Sequence, residues 1–102
     1  MSDTLQKLQA LDQNLQMLRT QVHSTKSTLL QTTTALKSLD GNEEAFTFVG
    51  NIMIKRSVVE LTTELTDKKN VVEKKLNSLV EQESQLVATK TELETVLLGD
   101  QK

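Results

Sequence analysis

A seven-residue repeat of apolar side chains is the feature that most constrains how this chain can fold. Between residues 8 and 39 the apolar positions alternate three and four residues apart, which is the spacing of a coiled-coil seam. One seam position holds Leu8, Leu15, Val22, Leu29 and Leu36, and the other holds Leu11, Leu18, Thr25, Thr32 and Leu39. The two seam threonines weaken the seam at its centre. Thr32-Thr33-Thr34 adds three β-branched residues of modest helix propensity, so this segment predicts a long helix that relies on a partner helix for its conformation.

The C-terminal half repeats the pattern with more polar residues. One of its seam positions holds Leu65, Val72, Leu79, Leu86 and Leu93, and the other holds Lys69, Leu76, Glu83, Lys90 and Leu97. The charged residues make this second seam partly polar. The two periodic segments predict helices of about 36 and 42 residues, or roughly 54 and 63 Å at 1.5 Å per residue.

The helical period breaks off between the two segments. Gly41 tolerates the left-handed backbone that ends many helices, and Asn42 favours a turn, so the first helix is expected to stop there. β-branched and aromatic residues then flank Gly50 and Asn51, a pair that suits a two-residue turn. This segment therefore predicts a β-hairpin.

The second helix has a start signal and a stop signal. Ser57 and Glu60 have the spacing of a capping box, in which the two side chains satisfy free amides at a helix N-terminus. Gly99 is expected to end the helix.

A short connection favours helices that fold back on each other. The predicted fold is mainly α, an antiparallel two-helix coiled coil joined by one β-hairpin, within a single domain at residues 1–102. Its parts are the N-terminal helix at 1–41, the loop and hairpin at 42–56, and the C-terminal helix and tail at 57–102.

The predicted hairpin is apolar on both faces, because directly paired residues point to the same side. One face carries Val49, Ile52 and Ile54, and the other carries Phe46, Phe48 and Met53. The chain's own helices could cover only one face, and an isolated hairpin is marginal in water. We therefore expect other subunits to cover it, and the free strand edges invite further strands. The predicted subunit interface comprises Phe46, Phe48, Val49, Gly50, Ile52, Met53 and Ile54.

The two chain ends also carry apolar residues. Val96-Leu97-Leu98 spans about 200° of helix surface, more than one partner helix covers, and Leu5 lies just off the N-terminal seam. These residues are either ordinary surface leucines at fraying helix ends or a patch that binds other proteins. The candidate binding residues are Leu5, Leu8, Val96, Leu97 and Leu98.

Composition and motifs argue against an enzyme. Cysteine is absent and only two residues are aromatic, so neither a thiolate metal site nor a large core is available. The three glycines are widely separated and form no phosphate-binding loop. His23 lacks convergent partners, and Ser57 is explained as a helix cap. We predict no catalytic residue, no metal and no cofactor.

Charge and hydropathy also argue against nucleic acid and membranes as partners. The net charge is −2 with lysine and glutamate interspersed, so no basic surface is predicted. No apolar run approaches the ~20 residues that span a bilayer, and the N-terminus lacks the pattern of a signal peptide. We therefore expect a soluble, cytoplasmic protein.

The order helix, hairpin, helix resembles the beta-class prefoldin subunits. The signature of that family is an apolar strand ending in Val-Gly, followed by a second apolar strand and a charged residue. Val49-Gly50 and Ile52-Met53-Ile54-Lys55 match it residue by residue, and the helices extend the resemblance over nearly the whole chain. The continuation at residues 56–61 looks most like the second subunit of the eukaryotic complex, although the threonine-rich first helix departs from the more charged family pattern.

The resemblance implies a hexamer of two alpha-class and four beta-class subunits, whose hairpins assemble into intersubunit β-barrels. It implies that the helix ends hold unfolded client proteins, in eukaryotes notably actin and tubulin. It also implies delivery of those clients to the cytosolic group II chaperonin without ATP. The alternative from another class is a structural coiled-coil scaffold or tether without chaperone activity, in which the hairpin merely joins two helices.

Overall fold

A computed structural model describes residues 2–100 and confirms the mainly α fold class. The elements are α1 (Ser2–Leu39), β1 (Ala45–Val49), β2 (Ile52–Arg56) and α2 (Val58–Asp100). Contacts divide the chain into two units. We call them the terminal unit, with described residues 2–25 and 75–100, and the hairpin unit, residues 26–74.

In the terminal unit the predicted seam is the buried side of both helices. The least exposed side chains there are Leu8, Leu15, Leu18, Val22, Thr25 and Leu79. Leu18, Val22 and Leu79 form one cluster, against which Leu76 and Leu86 pack. Every buried residue of this unit occupies a heptad position named from the sequence, so the periodicity identified the packed surface correctly.

The charged seam residues of α2 in this unit are paired across the helices. Glu83 accepts a hydrogen bond from Arg19 Nε at 3.1 Å, and Lys90 Nζ lies 2.7 Å from Asp12 Oδ1. The contact with Asp12 raises the pKa of Lys90. Asp12 and Arg19 are seven residues apart in α1, and their partners Lys90 and Glu83 are seven residues apart in α2 in the reverse order. The helices are therefore antiparallel here.

In the hairpin unit the seam residue Thr32 and its neighbour Thr33 bond to their own helix. Thr32 is buried, and its hydroxyl donates to the carbonyl of Thr28 at 2.8 Å. The Thr33 hydroxyl donates to the Leu29 carbonyl at 2.9 Å in the same way. These bonds to the preceding turn satisfy the hydroxyls inside one helix, so burial of the threonines costs little.

The inner helix ends show the expected turn and the expected Ser57 cap, whereas the Glu60 carboxylate, predicted to accept from a free amide, contacts Arg56. α1 ends at Leu39, and Gly41 has a φ of 77°, while the Asn42 N–H donates to the Leu39 carbonyl at 3.1 Å. At the start of α2 the Ser57 hydroxyl accepts the N–H of Glu60 at 3.4 Å. The Glu60 carboxylate lies 3.9 Å from Arg56 Nη2.

The expected end of α2 at Gly99 is wrong. The helix continues through Gly99 to Asp100, and within residues 2–100 a positive φ occurs only at Gly41 and Gly50. A glycine ends a helix through a left-handed backbone, and Gly99 does not adopt it.

The seam predicts that substitutions at two nearby residues of α1 lower the free energy of unfolding by very different amounts. Leu15 is 2% exposed, so Leu15→Ala should leave a cavity and lower the free energy of unfolding by about 2–5 kcal/mol. Met17 is 64% exposed, and Met17→Ala should change it by less than about 0.5 kcal/mol. Urea unfolding followed by the helical circular dichroism signal measures both, and equal losses would contradict the assigned seam.

Candidate functional site

The hairpin pairs its strands in the register expected from the sequence. The antiparallel pairs are Ala45↔Arg56, Phe46↔Lys55, Thr47↔Ile54, Phe48↔Met53 and Val49↔Ile52. Gly50 has a φ of 63°, and no non-glycine residue in the described part of the chain has a positive φ. A two-residue turn with a left-handed first position matches the right-handed twist of the strands and favours glycine there. Local turn chemistry therefore sets the register.

Both faces of the hairpin are exposed. The six large apolar side chains are between 43% and 68% exposed, namely Phe46, Phe48, Val49, Ile52, Met53 and Ile54. The sequence allowed one of the two faces to rest on the chain's own helices, yet these side chains of both faces remain largely uncovered. Because large apolar side chains are stabilised by leaving water, this surface favours association with another apolar surface.

The strand edges add a second reason for association. β1 and β2 form a two-stranded sheet, so within residues 2–100 each strand has one strand neighbour and one free edge. Free edges present unpaired backbone donors and acceptors that can add strands from another chain. The exposed predicted interface residues and the free edges therefore lie on the same short segment.

The base of the hairpin is tied to α2. Ala45 is buried, and its cross-strand partner is Arg56. Arg56 makes a bidentate ion pair with Glu64, in which Nη1 lies 3.2 Å from Oε2. This hydrogen bonding lowers the pKa of the Glu64 carboxyl and raises the pKa of Arg56. Sequence analysis missed this contact, because a pair eight residues apart across a strand-to-helix junction has no periodic signal.

A second ion pair lies within the hairpin segment itself. Lys55 Nζ lies 3.2 Å from Glu44 Oε1, and both side chains are well exposed. Exposed pairs of this kind contribute little to stability. Lys55 is the charged residue of the signature noted above, and its contact stays between β2 and the residue before β1.

The candidate binding residues at the chain ends differ in accessibility. Leu5, Val96 and Leu98 are at least half exposed, whereas Leu97 is half-buried. Leu8 is 8% exposed and belongs to the packed seam of the terminal unit. The three exposed residues are therefore the ones whose side chains are available to a partner in this conformation.

The two residues considered for chemistry lie where the sequence places them. His23 is exposed on α1, and Ser57 caps α2. Among residues 2–100 no cluster of histidine, cysteine, aspartate and glutamate is arranged to hold a metal ion. No helix of that region has the length and apolar character needed to cross a membrane.

Comparisons with known proteins agree on one family. A family model described as prefoldin subunit matches residues 1–102. The prefoldin subunit beta of Archaeoglobus fulgidus is 35% identical over 83 residues, which cover 78% of this chain and 72% of that protein. The crystal structure of the prefoldin beta subunit from Thermococcus strain KS-1 is similar with a TM-score of 0.88 at 24% identity, covering 97% of this chain and 90% of that chain.

The left-handed turn predicts unequal effects of two adjacent substitutions. Gly50→Ala meets no neighbour within 4 Å, so its cost is the backbone strain of about 1–2 kcal/mol for an L-residue at this φ. Asn51→Ala carries no such strain, since Asn51 lacks a positive φ. Hydrogen exchange of the β1 and β2 amides should accelerate roughly 5- to 30-fold in the first variant and little in the second. Equal rates in both would contradict the turn assignment.

Proposed function

The chain belongs to the prefoldin family as a beta-class subunit, and on that premise we propose that it acts in a hexameric chaperone that works without ATP. A prefoldin subunit is a chaperone subunit. This chain assembles with alpha-class and other beta-class subunits in the cytoplasm. The complex holds unfolded proteins, of which actin and tubulin are the expected type, and passes them to a group II chaperonin.

The observation that carries the proposal is the hairpin with two exposed apolar faces. Full burial of one large apolar side chain stabilises a protein by about 1.5–3 kcal/mol, and six such side chains are exposed here. The sum is comparable with the whole stability of a small domain. A hairpin that only joined two helices would not need this surface, so the scaffold alternative leaves the feature unexplained.

The exposed residues at the chain ends support client binding. Leu5, Val96 and Leu98 present apolar surface that unfolded chains, with their own exposed apolar side chains, can contact without a fixed sequence. Each contact is weak. Several subunits around one client would raise the overall affinity through multivalency, and release would need no nucleotide.

Assembly through the hairpin predicts that a charge on either face prevents it. Phe48→Asp and Ile54→Asp lie on opposite faces, and each should block complex formation with alpha-class subunits because the burial of an unpaired carboxylate is costly. Asn51→Asp adds the same charge at the turn and should assemble normally. Native mass spectrometry gives the assembly state, while circular dichroism checks that helicity is retained. Normal assembly of both face variants would favour the scaffold alternative.

Client binding at the chain ends predicts a loss of protection without a loss of assembly. The triple variant Leu5→Ser, Val96→Ser, Leu98→Ser should weaken suppression of aggregation of a diluted, denatured client, measured by light scattering of the assembled complex. The control replaces Met17, Val80 and Val87, three exposed apolar residues elsewhere in the terminal unit, with serine. Equal protection by both triple variants would remove the chain ends as a specific client site.

A further inference from the structure

We infer that Arg56 and Glu64 form a clamp that fixes the direction of the hairpin on α2 and thereby positions the assembly surface. The inference rests on the proposed function, because it concerns the surface through which the subunit assembles. It assigns a positioning role to two residues that lie outside the exposed apolar faces.

The hairpin is attached to the rest of its unit mainly at its base. Ala45 is buried, and Thr47 and Arg56 are partly buried, whereas Phe48 and Met53 near the turn are exposed. The cross-strand pair Ala45↔Arg56, at the end of the hairpin farthest from the turn, is therefore the point at which packing could set the direction of both strands. Ser57 alone separates β2 from α2, and Ala45 contributes only a methyl group to the packing, so a directional contact at this junction would restrict the remaining rotation.

An open recess lies beside the base of the hairpin. A recess of about 600 Å³ is lined on its apolar side by Leu39, Phe46, Leu61 and Leu65. Arg56 and Glu64 also line it. This recess is open to solvent, so side chains of the hairpin unit do not pack against this part of the hairpin, and a directional contact here would restrict its orientation.

The ion pair between Arg56 and Glu64 has the geometry to supply that contact. The Nη1 and Nη2 atoms of Arg56 lie 3.2 and 2.5 Å from the two carboxylate oxygens of Glu64. Two parallel bonds between a planar guanidinium and a planar carboxylate restrict orientation as well as distance. Glu64 is in the second turn of α2, so the pair joins the last residue of β2 to the helix.

The Lys55–Glu44 pair provides a comparison on the same hairpin. Its side chains are 65% and 62% exposed, whereas those of Arg56 and Glu64 are 28% and 58% exposed, so the two pairs differ chiefly in the burial of the cation. Lys55 also makes a single contact to a residue outside α2. Loss of this pair should leave the hairpin direction unchanged.

The test measures the hairpin direction and assembly separately. The chain has no cysteine, so spin labels can be placed at Asn51→Cys in the turn and Asn70→Cys on the exposed side of α2. Glu64→Gln and Arg56→Glu should broaden the distance distribution between the labels. The exchanged pair Arg56→Glu, Glu64→Arg should narrow the distance distribution again. A general loss of structure caused by either substitution would not be repaired in this way. Glu44→Gln serves as the control and should match the unmodified chain.

In unlabelled chains, Glu64→Gln should reduce the apparent affinity for alpha-class subunits at least about tenfold, and the exchanged pair should recover most of it. Circular dichroism should show unchanged helicity. An unchanged distance distribution in Glu64→Gln would overturn the clamp. A broadened distribution with unchanged assembly would overturn its positioning role. If Phe48→Asp blocks assembly while Glu64→Gln does not, the inference fails and the proposed function stands.

Discussion

The exposed apolar surface of the hairpin is the constraint on which the account of this chain depends. Its two faces carry six large side chains that the chain itself leaves largely uncovered, and its strands have free edges. Burial in another subunit would release water from both faces at once, and strand addition would satisfy the backbone groups. The hairpin is therefore fully formed as a secondary structure, but its large apolar side chains are not packed within this chain. This is the physical sense in which a beta-class prefoldin subunit needs its partners.

The helices bury only a narrow seam of apolar residues and accommodate polar residues within it. In the terminal unit a narrow seam centred on Leu15 and Leu18 is buried, and Glu83 and Lys90 pair with Arg19 and Asp12. In the hairpin unit threonine hydroxyls bond to their own helix. Polar residues thus enter both seams without unpaired buried side-chain atoms in the described part of the chain. The apolar residues outside the seam, including Leu5 and Leu98, remain available for other contacts.

Much of the fold was predictable because its signals are local. The seven-residue period identified the buried face, and the pair Gly50-Asn51 specified the strand register. The exposure of both hairpin faces could not be read from the pattern, because coverage depends on where the helices lie. The different exposures of Leu5 and Leu8 follow from their positions relative to the seam. The Arg56–Glu64 clamp links residues without a repeat spacing, and Gly99 stays helical although its residue type permits a helix end.

The central claim is that the hairpin becomes buried between subunits. Hydrogen–deuterium exchange of the full chain, alone and after mixing with alpha-class prefoldin subunits, tests it most directly through the amides of residues 46–54. The outward-facing edge amides should exchange fast in the isolated chain and be strongly protected in the complex. A complex that forms while these amides exchange as fast as before would contradict it, because the subunits would then be joined through another surface.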